Sequence, residues 1–141
     1  MGSSPGLGSC QLSGTAAFTP ALTMSARSTV QDIRLTGSCS GTIAGQNLQA
    51  APVTVTATEY APSDSCTAGN DTGTGILDVN GRALSFTIAE SRIAGAVIGN
   101  IAGAGWSATA IANIDPSHAV DVEKCLAGGL QGTAIDANYL W

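Results

Sequence analysis

Polar and apolar residues alternate along most of the chain. In CQLSGTAAFTPAL the even positions Cys10, Leu12, Gly14, Ala16, Phe18 and Leu22 are apolar or small, while Gln11, Ser13, Thr15 and Thr19 are polar. In STVQDIRLTGSCSGTI the phase is odd: Ile33, Leu35, Gly37, Cys39, Gly41 and Ile43 share one side, and Asp32, Arg34, Thr36, Ser38, Ser40 and Thr42 the other. A period of two marks a strand with one buried face, because successive side chains leave the pleated backbone on opposite sides. PVTVTATEY (52–60) continues the theme with Val53, Val55 and Ala57 inward. Leu77 and Val79 then precede Asn80-Gly81, and Leu84, Phe86 and Ile88 follow it; that dipeptide suits the two positive-φ positions of a type I′ hairpin turn. IAGAVIGNI (93–101) and GWSATAIANI (105–114) flank a Gly-Ala-Gly run, and LQGTAIDANYL (130–140) ends the pattern. These segments amount to about eight strands, mostly joined as hairpins.

The alternation also proposes a register. With a turn near residues 23–26, the first two strands pair residues whose numbers sum to about 49, which makes their apolar faces coincide. Leu12 then faces Gly37, Gly14 faces Leu35, Ala16 faces Ile33, and Cys10 faces Cys39. Directly opposed Cβ atoms lie about 4.5–5.5 Å apart, close to disulfide reach though wide of the preferred spacing. A Cys10–Cys39 bridge is therefore expected, which leaves Cys66 for Cys125.

One stretch, DPSHAVDVEKCLAGG (115–129), breaks the alternation. Asp115 suits an N-cap, Pro116 the first helical position and Gly128-Gly129 a C-terminal stop, with Ala119, Val122 and Leu126 on one face. A short helix is expected, although Val120 and Val122 also fit a strand. The fold class that results is all-β: an antiparallel up-and-down barrel of about eight strands with one short helix before the last strand. Closure removes the exposed edges of an open sheet. A two-sheet β-sandwich is the alternative, since periodicity does not separate the two.

Composition narrows the functions. The chain has 141 residues, long enough for one core, and only 11% are charged, with a net charge of −5. It contains no basic patch, so no nucleic-acid partner is expected, and no apolar run near the roughly 18 residues of a membrane helix. Residues 1–8 are expected to be disordered or an added N-terminal stretch without signal-peptide character, and 9–141 a single disulfide-linked domain. Four dispersed cysteines and one histidine offer no zinc-ligand spacing. They read instead as two disulfides of a secreted protein, the alternative being four buried thiols. Neither a metal nor a cofactor is implied.

CQLSGTAAFTPAL, then LTGSCSGTIAG, then DPSHAVDVEKCLAGGL before a final strand resemble a group of uncharacterised small secreted actinobacterial β-barrel proteins. The resemblance covers most of the chain and rests on Gly/Thr strand patterns and cysteines. It implies export and a barrel, and carries over no functional residue.

Several residues invite a chemical reading. Ser117, His118, Asp115 and Asp121 are neighbours in sequence, but adjacency supplies no triad geometry and no nucleophile elbow is present, so His118 is expected to face solvent. Asp64, Asn70 and Asp71 lie in APSDSCTAGNDTG (61–73) without EF-hand spacing, and a polar turn is expected there. Glu59 with Glu90, and Asp78 with Asp136, are possible acid–base pairs. Glu90 continues the inward phase of Leu84, Phe86 and Ile88, yet strand ends commonly return to solvent, and Arg92 stands two residues on as a neutralising charge.

Many inward positions are Gly or Ala, which leaves either a flattened, tightly packed barrel or a cavity. No catalytic residue is assigned. The function expected is a secreted, non-enzymatic protein holding a small apolar ligand in or at the mouth of the barrel, lined by Phe18, Ile33, Phe86, Ile88 and Trp106. A structural or surface-assembly module that oligomerises is one alternative. A small barrel enzyme with an acid/base carboxylate is another.

Overall fold

A computed structural model describes residues 7–114 and 119–141, the side chains of 119–122 excepted. Eight strands, β1 (Gly8–Leu22), β2 (Arg27–Ile43), β3 (Gln46–Asp64), β4 (Ala68–Val79), β5 (Arg82–Ile93), β6 (Ala96–Gly103), β7 (Trp106–Ile114) and β8 (Leu130–Leu140), pair in chain order. All pairs are antiparallel, and β8 returns to β1 to close the barrel. A helix, α1 (Ala119–Leu126), precedes β8. The architecture is thus the up-and-down barrel with one short helix that the alternation predicts, rather than a sandwich. Asp115, Pro116 and His118 lie outside the described residues, so neither the N-cap nor the orientation of His118 is addressed.

The first hairpin adopts the expected register, with Leu12 opposite Gly37, Gly14 opposite Leu35 and Ala16 opposite Ile33. Cys10 and Cys39 face each other with Cα atoms 4.0 Å apart and are bridged; the second disulfide joins Cys66 to Cys125. Asn80 and Gly81 take φ of 51° and 77°, as a type I′ turn requires. Helix α1 stops where Gly128 and Gly129 adopt φ of 133° and 115°, a conformation that costs glycine no Cβ clash.

The small inward residues serve close packing around the aromatic pair. A Cβ on Gly75 would lie 2.4 Å from Cζ of Phe86, and one on Gly103 would lie 2.1 Å from Nε1 of Trp106. Each ring therefore lies over bare backbone, and the two meet edge to face with centroids 6.0 Å apart. At Gly14 and Gly37 a Cβ would meet the carbonyl oxygens of Arg34 and Gln11 at 1.9 Å, so β1 and β2 approach too closely for any side chain. Here the interior is filled by a large residue reaching over a small one.

Gly75→Ala is therefore expected to displace the Phe86 ring and lower stability by about 1–3 kcal/mol. Urea unfolding checks the loss, and a shift in tryptophan emission checks that Trp106 moves with Phe86. An unchanged midpoint would show spare room beside Phe86.

Candidate functional site

Up-and-down topology sends successive turns to opposite ends of the barrel. One end carries the β1–β2, β3–β4 and β5–β6 turns together with α1; the other carries the remaining hairpin turns and both strand termini. The ligand-lining residues expected from sequence do not converge on one pocket. Phe18 and Ile88 are buried in the core. Ile33 and Phe86 are buried there too, although they also border a groove on the outer wall with Asp32, Thr56 and Thr74; Trp106, which meets Phe86 edge to face, borders a hollow at the far end with Ile43 and Trp141. Inward phase alone marks burial and does not distinguish packing from a pocket.

An apolar pocket of about 430 Å³ lies instead at the α1 end, between Leu22, Met24, Ile114, Leu130 and the Cys66–Cys125 bridge, with Arg92 also in its lining. None of the five expected residues is among its described lining. Backbone hydrogen bonds lace this rim together: Cys66 N–H donates to Thr23 O at 2.8 Å, Ala94 N–H to Thr67 O at 2.7 Å, and Ile114 N–H to Gly95 O at 2.8 Å. The disulfide ties α1 to the same rim.

Arg92 braces it from within. Its Nη1 donates to the carbonyls of Cys66 (3.3 Å) and Ala94 (2.9 Å). Its Nη2 donates to Ser65 O and, at 2.6 Å, to Asp64 Oδ1, whose other oxygen accepts from Gln31 Nε2 at 3.1 Å. Asp64 and Arg92 are both buried. Arg92 thus neutralises Asp64 and not Glu90, the partner its sequence position suggested. Asn70 turns outward to accept from Ser91, at 2.8 Å, while Asp71 points inward, so Asp64, Asn70 and Asp71 share no loop site. The stretch read as a polar turn is largely strand, with a break only between Asp64 and Ala68.

Further into the barrel, three carboxylates converge. Glu59 on β3 is 1% exposed, Asp71 on β4 is 7% exposed, and Glu90 on β5 is half-buried. One oxygen from each lies within 4.8 Å of the others, the one cluster of its kind among the described residues. Glycines make the room: a Cβ on Gly73 would lie 2.8 Å from Cγ of Glu59, and one on Gly99 would lie 2.7 Å from Cγ of Glu90. With all three groups ionised, Glu59 Oε1 has no hydrogen-bond partner, and its bonds to Glu90 and Asp71 require a shared proton.

Burial, then hydrogen bonding to and repulsion by Glu90, then Asp71, push the Glu59 carboxyl up to about 12. Burial, then the Glu90 charge and, less, that of Asp64 raise Asp71 to about 7, against a lowering hydrogen bond from Glu59 and the charge of Arg92. Tyr139 is raised as well, by burial and by the charges of Glu90 and Glu59. At neutral pH such a group holds a proton on Glu59 and shares it with its neighbours, a state a general acid also needs. Asp78 and Asp136, the other possible pair, are exposed on the outer wall.

The signal for this cluster was present in the alternation. Glu59 continues Val53, Val55 and Ala57, and Asp71 continues Leu77, Gly75 and Gly73. The expectation that Glu90 returns to solvent fails because β5 runs on to Ile93 without changing phase.

The raised acids fix how stability varies with pH. Asp71 releases its proton near 3.8 when unfolded and near 7 when folded, and Glu59 near 4.5 and near 12, so between those values the folded chain holds more protons. Stability falls as pH rises through both windows. Thermal unfolding between about pH 4 and 9 should show that decline. Asp71→Asn should flatten it below about pH 7, and Glu59→Gln across the whole range, while unchanged slopes would place the protons elsewhere. Comparison with protein-family models, curated proteins and solved structures finds no match.

Proposed function

We propose that the chain is an extracellular, non-enzymatic binding protein that holds a small apolar molecule at the α1 mouth of its barrel. The observation that carries this reading is the apolar pocket of about 430 Å³ bounded by Leu22, Met24, Ile114, Leu130 and the Cys66–Cys125 bridge. Its volume falls in the range of small-molecule sites, roughly 300–1,000 Å³. The rim is held by backbone hydrogen bonds, a disulfide and the Arg92 contacts, so little ordering entropy is lost when a ligand enters. Two disulfides suit an oxidising, extracellular setting. No described helix is long and apolar enough to cross a membrane. Kinship with small secreted actinobacterial barrels belongs to the same proposal.

Met24 sits in an exposed turn at the pocket edge, so it can be changed without touching the core. An environment-sensitive apolar dye should bind with one-to-one stoichiometry, and Met24→Asp should weaken it about tenfold, the effect of losing about 1.4 kcal/mol of apolar contact. The thermal midpoint should stay unchanged. Failure of the native protein to bind the dye, or equal binding by Met24→Asp, would remove the proposal.

A further inference from the structure

The Glu59, Asp71 and Glu90 cluster plays no part in the mouth pocket, and it poses its own electrostatic problem. Three carboxylates in the barrel interior share one nearby cation, Arg92, whose charge lowers the Asp71 carboxyl without offsetting burial and the Glu90 charge. Arg92 is the one buried Lys or Arg among the described residues; its Nη1 and Nη2 are bonded to Asp64 and three carbonyls, and its buried Nε has no partner. Repulsion of this kind is relieved either by protons or by a metal ion.

Geometry favours an ion as an occupant. Calcium holds oxygens at about 2.3–2.6 Å, so two ligands of one ion are at most about 5 Å apart. The three carboxylate oxygens lie within 4.8 Å of one another, and so fit on one ion without rearranging the strands. A second observation points the same way. Glu59 is 1% exposed, and with all three groups ionised its Oε1 has no hydrogen-bond partner, although a buried oxygen normally has one. The donor set is all carboxylate, with neither imidazole nor thiolate, which selects hard cations over zinc or copper. Three consecutive antiparallel strands carry these residues, so their backbones are fixed before any ion arrives. Asp71, Glu90 and Gly99 also border a groove of about 840 Å³ on the barrel wall, and Glu90 is only half-buried.

We propose that Glu59, Asp71 and Glu90 form a binding site for a hard divalent cation of the Ca²⁺ class inside the barrel wall. Glu59 supplies the deep ligand, Asp71 and Glu90 the outer ones, and water completes the coordination from the groove side. The ion cross-links β3, β4 and β5 at the level below the Arg92 brace.

The test uses the full chain after chelator treatment, titrated calorimetrically with Ca²⁺ and, in parallel, with Tb³⁺ followed by luminescence. The expected result is one site per chain with Kd at or below about 1 mM, the weak limit of extracellular calcium modules, and a thermal midpoint that rises with Ca²⁺. Glu59→Gln should weaken binding at least tenfold. The change is isosteric with the protonated acid. Glu90→Gln, at the half-buried edge, serves as a second variant should Glu59→Gln not fold, and should also weaken binding tenfold. Glu123→Gln, exposed on α1, should leave binding unchanged. Absence of saturable binding of either ion, or full binding by a folded Glu59→Gln or Glu90→Gln variant, overturns the proposal.

Discussion

Everything in this protein depends on the pairing of β1 with β8. Ser9 to Ala17 of β1 are paired on one side with β2 and on the other with β8, from Leu140 back to Gly132. Once that ladder closes, no edge is left to solvent, and each strand has one face that can go only inward. Alternation then ceases to be a tendency and becomes an obligation. Polar residues on the inward phase are drawn out of solvent: Gln31, Glu59, Asp71 and Arg92 are buried and Glu90 half-buried.

The interior divides along its length as a result. Around Phe86 and Trp106, rings lie over glycines and the contacts are apolar. Toward the α1 end, the inward positions carry Gln31, Glu59, Asp64, Asp71 and Arg92. The Asp64–Arg92 pair fixes geometry more than it adds stability, since desolvation of both charges offsets much of their attraction. Its value lies in bracing the rim through the carbonyls of Ser65, Cys66 and Ala94. The carboxylates beneath have no bonded cation, and their affinity for protons is raised by burial first and by their mutual repulsion second.

Rim and cluster are therefore two features with different physics. The rim is a preorganised apolar mouth whose strength lies in covalent and backbone bonds. The cluster is a charge problem set into the wall of the barrel and bordering a separate groove. Separation matters, because the apolar mouth can be altered at Met24, and the cluster at Glu90, without one change disturbing the other.

By itself the sequence determined the strands, the hairpin at Asn80-Gly81, the register of Cys10 against Cys39 and hence both disulfides, because period-two patterning and turn chemistry are local and strict. It also carried the inward phase of Glu59 and Glu90, though not what an inward phase would mean at the end of a strand. Three things were decided only by the tertiary structure. Asp64 turns inward although its number is even and that of Glu59 odd, because the pairing of β3 shifts between Tyr60 and Asp64. The apolar pocket gathers residues from the β1–β2 turn, the β3–β4 and β5–β6 connections, β7, α1 and β8, which meet only after closure. Finally, Glu59, Asp71 and Glu90 lie 12 and 19 residues apart in order, and it is the hydrogen-bonded ladder of β3, β4 and β5 that brings their charges within 4.8 Å.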